Sequence, residues 1–593
     1  MAEGLRRVDS MGASEKLQKQ GNDAKQTNGA EGPTIADEIF KEFKSLSLSE
    51  FFRKNPAMLG LTGKMKSLSM IVHEGVTNSL DAAEEAGSLP DIYVAIDKLD
   101  GDYHYRVTVE DNGSGIPEAY IPDVFGKMLA GTKHKFLQRR GQQGIGISGA
   151  TMFAQTTSGN PIHVYTSTGK KIVGTELKID IKRNEGKILS RAEFPTDGFR
   201  GTRVELEVKG VLYTKAKQSP LGYMKMTAIA NPHATITMLS PDGEFFRWQR
   251  STNELPRRPQ EIKPHPYGIT PDDLLNLART SENRNVSGML AQGLCRVSSS
   301  KTGEIRLGMA FRQLLNRYQE FVTDEVKNAI AEAKNIDEKV QCFGKVLSRH
   351  RAKWEHALRE EGKNADHILR KRPAQLKFEE AEAIVDSFKY VRFLSPPTTG
   401  LSPIGMENIM KGLNEILKPE FVYANTRDPT TYRGGIPFIV EVGIAYGGYC
   451  PPGVDVIRFA NRAPLMFDSG GCVITEAAKS IDWKRYGVLD IESAPLTIFV
   501  NLVSTFVPYT STGKQTVAAE EEILNEIRMG LMDAARNLNR HLTHKRRIYE
   551  RASRRTSLLK YVEETAAAIA KLSRKDQSGI KKKLETLIDK KFV

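Results

Sequence analysis

Three short constellations follow one another between Glu74 and Ser148, and their order constrains the fold more than any other feature of the chain. The first, Glu74-x-x-x-Asn78-x-x-Asp81-Ala82, falls in a stretch from Leu68 to Ala83 whose apolar positions, Ile71, Val76 and Leu80 among them, recur at helical spacing. Offsets of four and three put Glu74, Asn78 and Asp81 on one helical face, where an acid and a carboxamide can hold a water and a hard cation together. The second, Asp111-Asn-Gly113-Ser-Gly115, directly follows an alternating strand. Its glycines let the backbone approach a flat ligand, and its carboxylate can accept a hydrogen bond from an amino group. The third, Gly141-Gln142-Gln143-Gly144-Ile145-Gly146-Ile147-Ser148, opens an apolar helical stretch and offers backbone N–H groups and a positive helix end to phosphates. Taken singly, the first reads as an ordinary polar helix face and the second as a common turn. The third is not a Walker loop, because no Gly-Lys-Ser/Thr follows, and not a dinucleotide fingerprint, because no βαβ unit surrounds it.

Around these motifs the pattern is α+β and multidomain. At 593 residues the chain is too long for one core. Residues 1–33 are polar, poor in large apolar groups and expected to be disordered. Ile92, Val94 and Ile96 share one face of a first strand; Tyr103, Tyr105, Val107 and Val109 share one face of a second. The Asp100-Gly-Asp102 between them reads as hairpin chemistry rather than a metal pair. Further strands are expected at Ile162–Thr166, Ile172–Ile181 and Thr202–Val208. Beyond Pro256-Arg-Arg-Pro259 the chain is helical in pattern from Thr270 to about Leu417, and strands return at Pro437–Ala445, Asp455–Phe459 and Pro495–Val507. A long helix is expected from Ala518, with Ile523, Ile527, Leu531, Ala534, Leu538 and Leu542 on one face and Glu520, Glu521 and Glu522 in its first turn.

Composition excludes several classes. The four cysteines are scattered without a CxxC pair, so neither a disulfide framework nor a zinc site is suggested and a reducing cytoplasm is expected. No apolar run is long enough to span a bilayer, and the best candidate, Ala494 to Val507, is broken by Asn501 and reads as a buried strand. The net charge is +14, and residues 540–593 alone carry 16 Lys/Arg against 6 Asp/Glu. Such a segment attracts nucleic acid or an acidic surface, but charge alone favours the plainer reading of a solvated tail.

Together, the three motifs resemble the N box, the DxGxG box and the glycine-rich lid of the GHKL ATPases, the group of gyrase, MutL and the histidine kinases. Gly201-Thr202 resembles that family's later Gly-Thr. Other stretches narrow the resemblance to B subunits of topoisomerase VI-type (type IIB) DNA topoisomerases. Phe125-Gly-Lys-Met-Leu-Ala-Gly131 followed by Arg140-Gly-Gln-Gln-Gly-Ile-Gly-Ile-Ser148 is similar to their lid, and Lys263-Pro-His-Pro-Tyr-Gly268 to the start of their helix–two-turn–helix domain. Pro437-Phe-Ile-Val-Glu-Val-Gly443, Ala460-Asn-Arg-Ala-Pro464 and Trp483-Lys-Arg-Tyr486 are similar to their transducer. The resemblance covers roughly Glu42 to Leu542.

The resemblance implies a GHKL (Bergerat) α/β sandwich with an N-terminal strap over 34–256, a helical helix–two-turn–helix domain over 257–410, a transducer with its long helix over 411–545, and a basic tail over 546–593. Glu74 would be the general base and Asn78 the Mg²⁺ ligand, with Asp81 beside them. Asp111, with Gly113, Gly115 and Thr202, would receive the adenine. Thr132, Lys133 and Gly141 to Ser148 would cover the phosphates. Lys514, in Ser511-Thr-Gly-Lys514-Gln, would supply the cation for the γ-phosphoryl group. Trp483, Lys484, Arg485 and Tyr486 would contact DNA. The implied assembly is an A2B2 heterotetramer in an archaeal, or at least prokaryotic, cytoplasm. Two B subunits would dimerise on ATP, capture double-stranded DNA and drive its passage through a break made by the A subunit's tyrosine.

Three features depart from the family pattern. Gly75 and Thr77 stand where an apolar and an acidic residue are common, the helical region from Arg296 to about Gln375 looks longer than usual, and no strand-rich segment follows the basic helix. The alternatives are weaker. A MutL-like repair clamp does not account for the helical insert, a histidine kinase would need a phosphoacceptor helix upstream, and an architectural DNA binder would not need Glu74.

Overall fold

The computed structural model describes residues 47–129, 137–141, 144–196, 198–511 and 513–592. Residues 48–593 form one compact unit, which carries the elements that follow. A short helix α1 (Leu48–Lys54) precedes the 23-residue α2 (Lys64–Ala86). Leu68, Ile71, Val72, Val76, Leu80 and Ala83 form the buried stripe of α2, and Gly87, in the left-handed conformation, ends it. Two strands follow, β1 (Asp91–Lys98) and β2 (His104–Glu110), then α3 (Ile121–Gly126) and α4 (Gly146–Ser158). Next come β3 (Ile162–Ser167), β4 (Ile172–Asp180), β5 (Glu185–Phe194), β6 (Gly201–Lys209), α5 (Pro220–Ala230), β7 (Thr235–Leu239) and β8 (Phe245–Trp248). These strands make one eight-stranded sheet in the order β5-β4-β3-β6-β2-β1-β7-β8, with β1 and β7 parallel and the other pairs antiparallel. Ile92, Val94 and Ile96 of β1 and Val107 and Val109 of β2 join the α2 stripe in one core, as the alternation predicts.

Tyr103 does not share that face. It lies outside β2 with a φ of +57°, is exposed, and carries the Lys64 ammonium 3.5 Å from its ring centroid. The departure at Gly75 has a packing cause: a Cβ there would meet Val109 Cγ2 at 2.9 Å. Thr77 is buried, its hydroxyl 3.4 Å from Tyr223 Oη.

The helical region comprises α6 (Pro271–Thr280), α7 (Val286–Gly293), α8 (Ser299–Arg317), α9 (Asp324–Glu332), α10 (Ile336–Val346), α11 (Arg351–Arg370) and α12 (Phe378–Ser387). Ser/Thr/Asn side chains cap five of these helices at Thr270, Asn285, Ser298, Thr323 and Asn335. After α13 (Met406–Leu417), β9 (Phe421–Thr426), β10 (Thr430–Tyr432), β11 (Ile436–Tyr446), β12 (Val454–Ala460) and β13 (Ala463–Pro464) enter a second, six-stranded sheet. α14 (Val473–Lys479) follows, and the central β14 (Leu496–Ser504) completes the sheet.

That second sheet is buried on both faces. Phe438, Val440, Val442 and Ile444 of β11, with Leu496, Ile498, Val500 and Leu502 of β14, pack with α14 and the long helix α15 (Glu521–Lys560). Residues of the opposite parity face α13: a Cβ on Gly443 would meet Leu413 and Ile409 at 2.9 and 3.0 Å. Its 40 residues make α15 a rod about 60 Å long at 1.5 Å per residue. It runs without a break past residue 545 and is followed by α16 (Val562–Ser573) and α17 (Gln577–Phe592). Among the described residues, no helix is long and apolar enough to cross a membrane.

Candidate active site

Glu74 and Asn78 sit one turn apart on the half-buried face of α2. The start of α4 closes on that face, since a Cβ placed on Gly146 would lie 1.8 Å from Glu74 Oε2. Only a glycine lets the positive end of a helix approach this carboxylate so closely. Asp81, by contrast, is buried, and its Oδ1 accepts from Arg140 Nη1 at 2.7 Å, so its carboxylate is committed to an ion pair.

Asp111 ends β2 as a buried acceptor. Its Oδ1 accepts from Gly113 N at 2.9 Å and Thr202 N at 3.2 Å, and its Oδ2 accepts from Ser79 Oγ at 3.0 Å. A carboxylate oxygen carries two lone pairs, so Oδ2 retains capacity for a ligand amino group, which suits an adenine. Backbone crowding explains the glycines: a Cβ on Gly115 would lie 2.1 Å from Ser167 O, and one on Gly201 1.9 Å from Asp111 O. The Thr202 hydroxyl pairs with Thr166 Oγ1 at 3.0 Å, and the latter accepts from Ile116 N at 2.8 Å.

Burial pushes the Asp111 carboxyl up to about 6, against opposing hydrogen bonds from Gly113, Ser79 and Thr202. Folded Asp111 therefore holds a proton between the ordinary carboxylate value and about 6 that the unfolded chain has released, so its contribution to stability falls as pH rises through that window. Binding of an amino group runs the other way, because the ionised carboxylate is the stronger acceptor. Adenine-nucleotide affinity should fall by up to about tenfold between pH 7 and pH 5, the drop in ionised fraction for such a group. Asp111→Asn should bind more weakly at pH 7 and lack that component of the pH dependence. Titrating a fluorescent nucleotide into both proteins across this range checks it, since phosphate titration is common to the two.

Within the glycine-rich stretch, Gly144 has a φ of +64° and Ile145 packs with Phe52, Met128 and Met152. Ile147 is half-buried against the main core. Ser148 is buried and turned inward, its Oγ 3.3 Å from Ile145 O and from Met128 Sδ, so its hydroxyl is not offered to a phosphate. Gly141 is described, whereas Thr132, Lys133, Gln142 and Gln143 lie outside the described residues.

Lys514 reaches this region on a hairpin loop closed by the Tyr509–Val517 bridge. Gly513 abuts Gly60, just before α2: a Cβ on Gly513 would be 3.6 Å from Gly60 Cα. Gln515 fastens the loop, its Oε1 accepting from Met466 N at 2.8 Å and Phe467 N at 3.1 Å. Burial holds His73, the residue before Glu74, below the usual imidazole value; the Glu74 carboxylate opposes this and the Lys514 ammonium adds to it. The Lys514 charge is therefore felt on the helix that carries Glu74.

Among the described residues no three acidic, His or Cys side chains cluster as a metal cage. One carboxamide, Asn78, is the kind of partial donor set that fits Mg²⁺, which keeps waters and takes phosphate oxygens as its other ligands.

At the second candidate surface, Trp483 is turned into the transducer core, 4% exposed, with Nε1 donating to Ala478 O at 3.1 Å. A ring so placed cannot touch a duplex. Tyr486 is half-buried against the same core, whereas Lys484 and Arg485 are exposed.

Ser79 and Thr166, which support Asp111 and Thr202, and Arg140 and Arg462, which meet at Glu84, carry no signature in the sequence. Their hydrogen bonds span 32, 36, 59 and 378 residues, so no local spacing signals them.

Known protein families match both parts of the chain. The family model described as histidine kinase-, DNA gyrase B-, and HSP90-like ATPase matches residues 63–185, and that of the topoisomerase VI B subunit transducer matches residues 396–554. The chain is 51% identical over 561 residues to the type 2 DNA topoisomerase 6 B subunit of Thermococcus sibiricus, covering 94% of this chain and 97% of that one. The protein of the same name from Pyrococcus horikoshii is 50% identical over 560 residues, again 94% and 97% of the two chains. That of Methanothermobacter thermautotrophicus is 43% identical, over 93% of this chain and 96% of its own. Such identity over nearly the whole of each chain, with the ATPase and transducer matches in order, shows that this α+β multidomain chain belongs to the family of type 2 DNA topoisomerase 6 B subunits.

Proposed function

We propose that this chain binds and hydrolyses ATP as the B subunit of a type IIB topoisomerase, dimerising on ATP to capture one DNA duplex while another is cut by a partner A subunit. The observation that carries this reading is the meeting of three elements: the Glu74 face of α2, the α4 N-terminus at Gly146, and the Lys514 loop at Gly60. In the reaction, Glu74 takes a proton from the attacking water as its oxygen bonds to the γ-phosphorus. The bond from that phosphorus to the bridging oxygen breaks, its electron pair leaving with ADP, and Lys514 offsets the charge that develops on the phosphoryl oxygens. Asp111 orients the adenine through its amino group. When bound beside Asn78, Mg²⁺ would supply further charge neutralisation on the phosphates.

Two measurements test the reading. A non-hydrolysable ATP analogue should convert monomer to dimer in sedimentation, and no mass change at saturation would count against the clamp. Mixed with a type IIB A subunit, the chain should relax supercoiled DNA only when ATP is present.

Lys484 and Arg485 are the exposed cations we assign to DNA phosphate, with Trp483 anchoring their turn. Lys484→Ala with Arg485→Ala should lower DNA-stimulated ATPase. It should also flatten the salt dependence of DNA binding by up to about two units of slope, roughly 0.9 per phosphate contact. Basal ATPase should survive, because the turn lies in a different domain from Glu74. A wild-type slope in the double variant would move the contact to the basic tail.

A further inference from the structure

The three residues before Gly141 are held from two domains at once. The Gln138 carboxamide pairs both ways with Ser402, donating to its O at 2.9 Å and accepting from its N at 2.7 Å. Arg139 O accepts from Asn461 Nδ2 at 3.1 Å. The buried Arg140 guanidinium donates to Asp81 Oδ1 at 2.7 Å and Glu84 Oε1 at 2.6 Å on α2, and to Asn231 Oδ1 at 2.6 Å after α5. The other Glu84 oxygen faces Arg462 Nη1 at 3.4 Å, and Arg462 Nη2 donates to Ser402 O and Oγ at 3.0 and 2.7 Å. One α2 carboxylate thus serves an arginine beside the glycine-rich segment, an arginine in the β12–β13 turn, and His233, whose Nε2 lies 2.8 Å from Oε1.

That turn is strained and hydrogen-bonded to β14. Asn461 and Arg462 are consecutive non-glycine residues with φ of +49° and +68°, a conformation costing on the order of 1–2 kcal/mol per residue. Asn461 is pinned to Ser504 through both its Oδ1 and Nδ2, at 3.0 and 2.9 Å, and Arg462 N donates to Asn501 Oδ1 at 3.1 Å. The turn therefore moves with the transducer sheet.

The two arginine legs are unequal. Burial works against the Arg140 charge, but Glu84 and Asp81 outweigh it and hold the guanidinium above its ordinary value. For Arg462 burial wins over Glu84, and its value is lowered. Its contact to Glu84, at 3.4 Å, is also longer than either carboxylate contact of Arg140, and it crosses from the transducer to α2. The Arg462 leg is the one a small transducer displacement would break.

We propose that Arg462 is a positioning residue for the nucleotide site. Through Glu84 and Arg140, and with Ser402 and Asn461 holding Gln138 and Arg139, it couples the seating of the transducer to the placement of the segment before Gly141. Seating of the transducer then sets how long nucleotide is retained, by a route separate from the Lys514 loop. The inference rests on the reading of this site as an ATP site.

The test is release of a fluorescent ADP analogue from the full chain, with steady-state ATPase alongside. Arg462→Met and Asn461→Gly, the latter keeping the left-handed backbone, should release it about tenfold faster, a loss of about 1.4 kcal/mol. KM for ATP should rise similarly with kcat changed less than about twofold, the pattern of lost uniform binding. Arg462→Lys, which keeps charge but not the fork, should fall between. In a Glu84→Gln background, Arg462→Met should add little further change. If the wild-type chain binds no labelled nucleotide, the ATPase reading itself fails. If the wild type binds and folded Asn461→Gly and Arg462→Lys both release at its rate, or lose kcat with KM unchanged, the coupling is overturned. Failure of Arg462→Met to fold leaves those two variants to decide.

Discussion

Glu74→Gln should leave nucleotide bound and lower ATP turnover by about 10²- to 10⁴-fold, the usual contribution of a positioned general base. The amide keeps the shape of the side chain against Gly146 but cannot take the proton of the attacking water. Single-turnover hydrolysis beside nucleotide titration separates the two effects, and an unchanged turnover rate would remove Glu74 from the role of base. Gly146→Ala offers an independent check that leaves the carboxylate chemistry intact. Its Cβ would lie 1.8 Å from Glu74 Oε2, so the acid or the helix start must shift. Because a displacement of about 1 Å can cost about 10²-fold, turnover should fall steeply in this variant too. Asn78→Ala, one turn along α2, should act differently and weaken Mg²⁺-dependent binding of the nucleotide itself.

How far the sequence discloses this site depends on the range of the interactions involved. Glu74 and Asn78 are legible because four residues on a helix suffice to align them, and the glycines at 113, 115 and 146 because tight approaches leave a local mark. Asp81 satisfies the same helical spacing yet is occupied by Arg140, a partner 59 residues away that no periodicity announces. Trp483 and Tyr486 illustrate the converse. Their spacing of three suits either a DNA-facing pair or a packed one, and burial of the indole with its hydrogen bond to Ala478 O distinguishes them for Trp483. Among the strands, β1, β2, β11 and β14 bury at least one face and so carry alternating or continuous apolar residues. Strand β5 has almost every residue exposed, so selection for burial left no pattern to read, and only its pairing with β4 makes it a strand. Tyr103 follows the strand alternation by composition, but the turn before β2 claims it.

Lys514→Ala should bind ATP nearly as well as the wild type while hydrolysing it about 10²- to 10³-fold more slowly, the range seen when one donor aimed at developing charge is removed. The effect is a difference between two states: a cation that meets the γ-phosphoryl group as charge builds strengthens its contact in the transition state more than in the ground state, so kcat falls and KM does not rise. The backbone at this residue supports a dedicated placement. Lys514 holds a φ of +51°, a left-handed conformation that costs a non-glycine residue on the order of 1 kcal/mol, and Gln515 next to it keeps the loop there through Met466 and Phe467. An ordinary solvent-facing lysine gives no reason for such anchoring. Gln515→Ala should therefore reproduce part of the Lys514→Ala defect in kcat with the ammonium still present, by releasing the loop rather than removing the charge. Should Lys514→Ala raise KM and keep kcat, the ammonium would belong to ground-state binding, and Lys133 or a cation from a second copy of the chain would have to serve the phosphoryl charge instead.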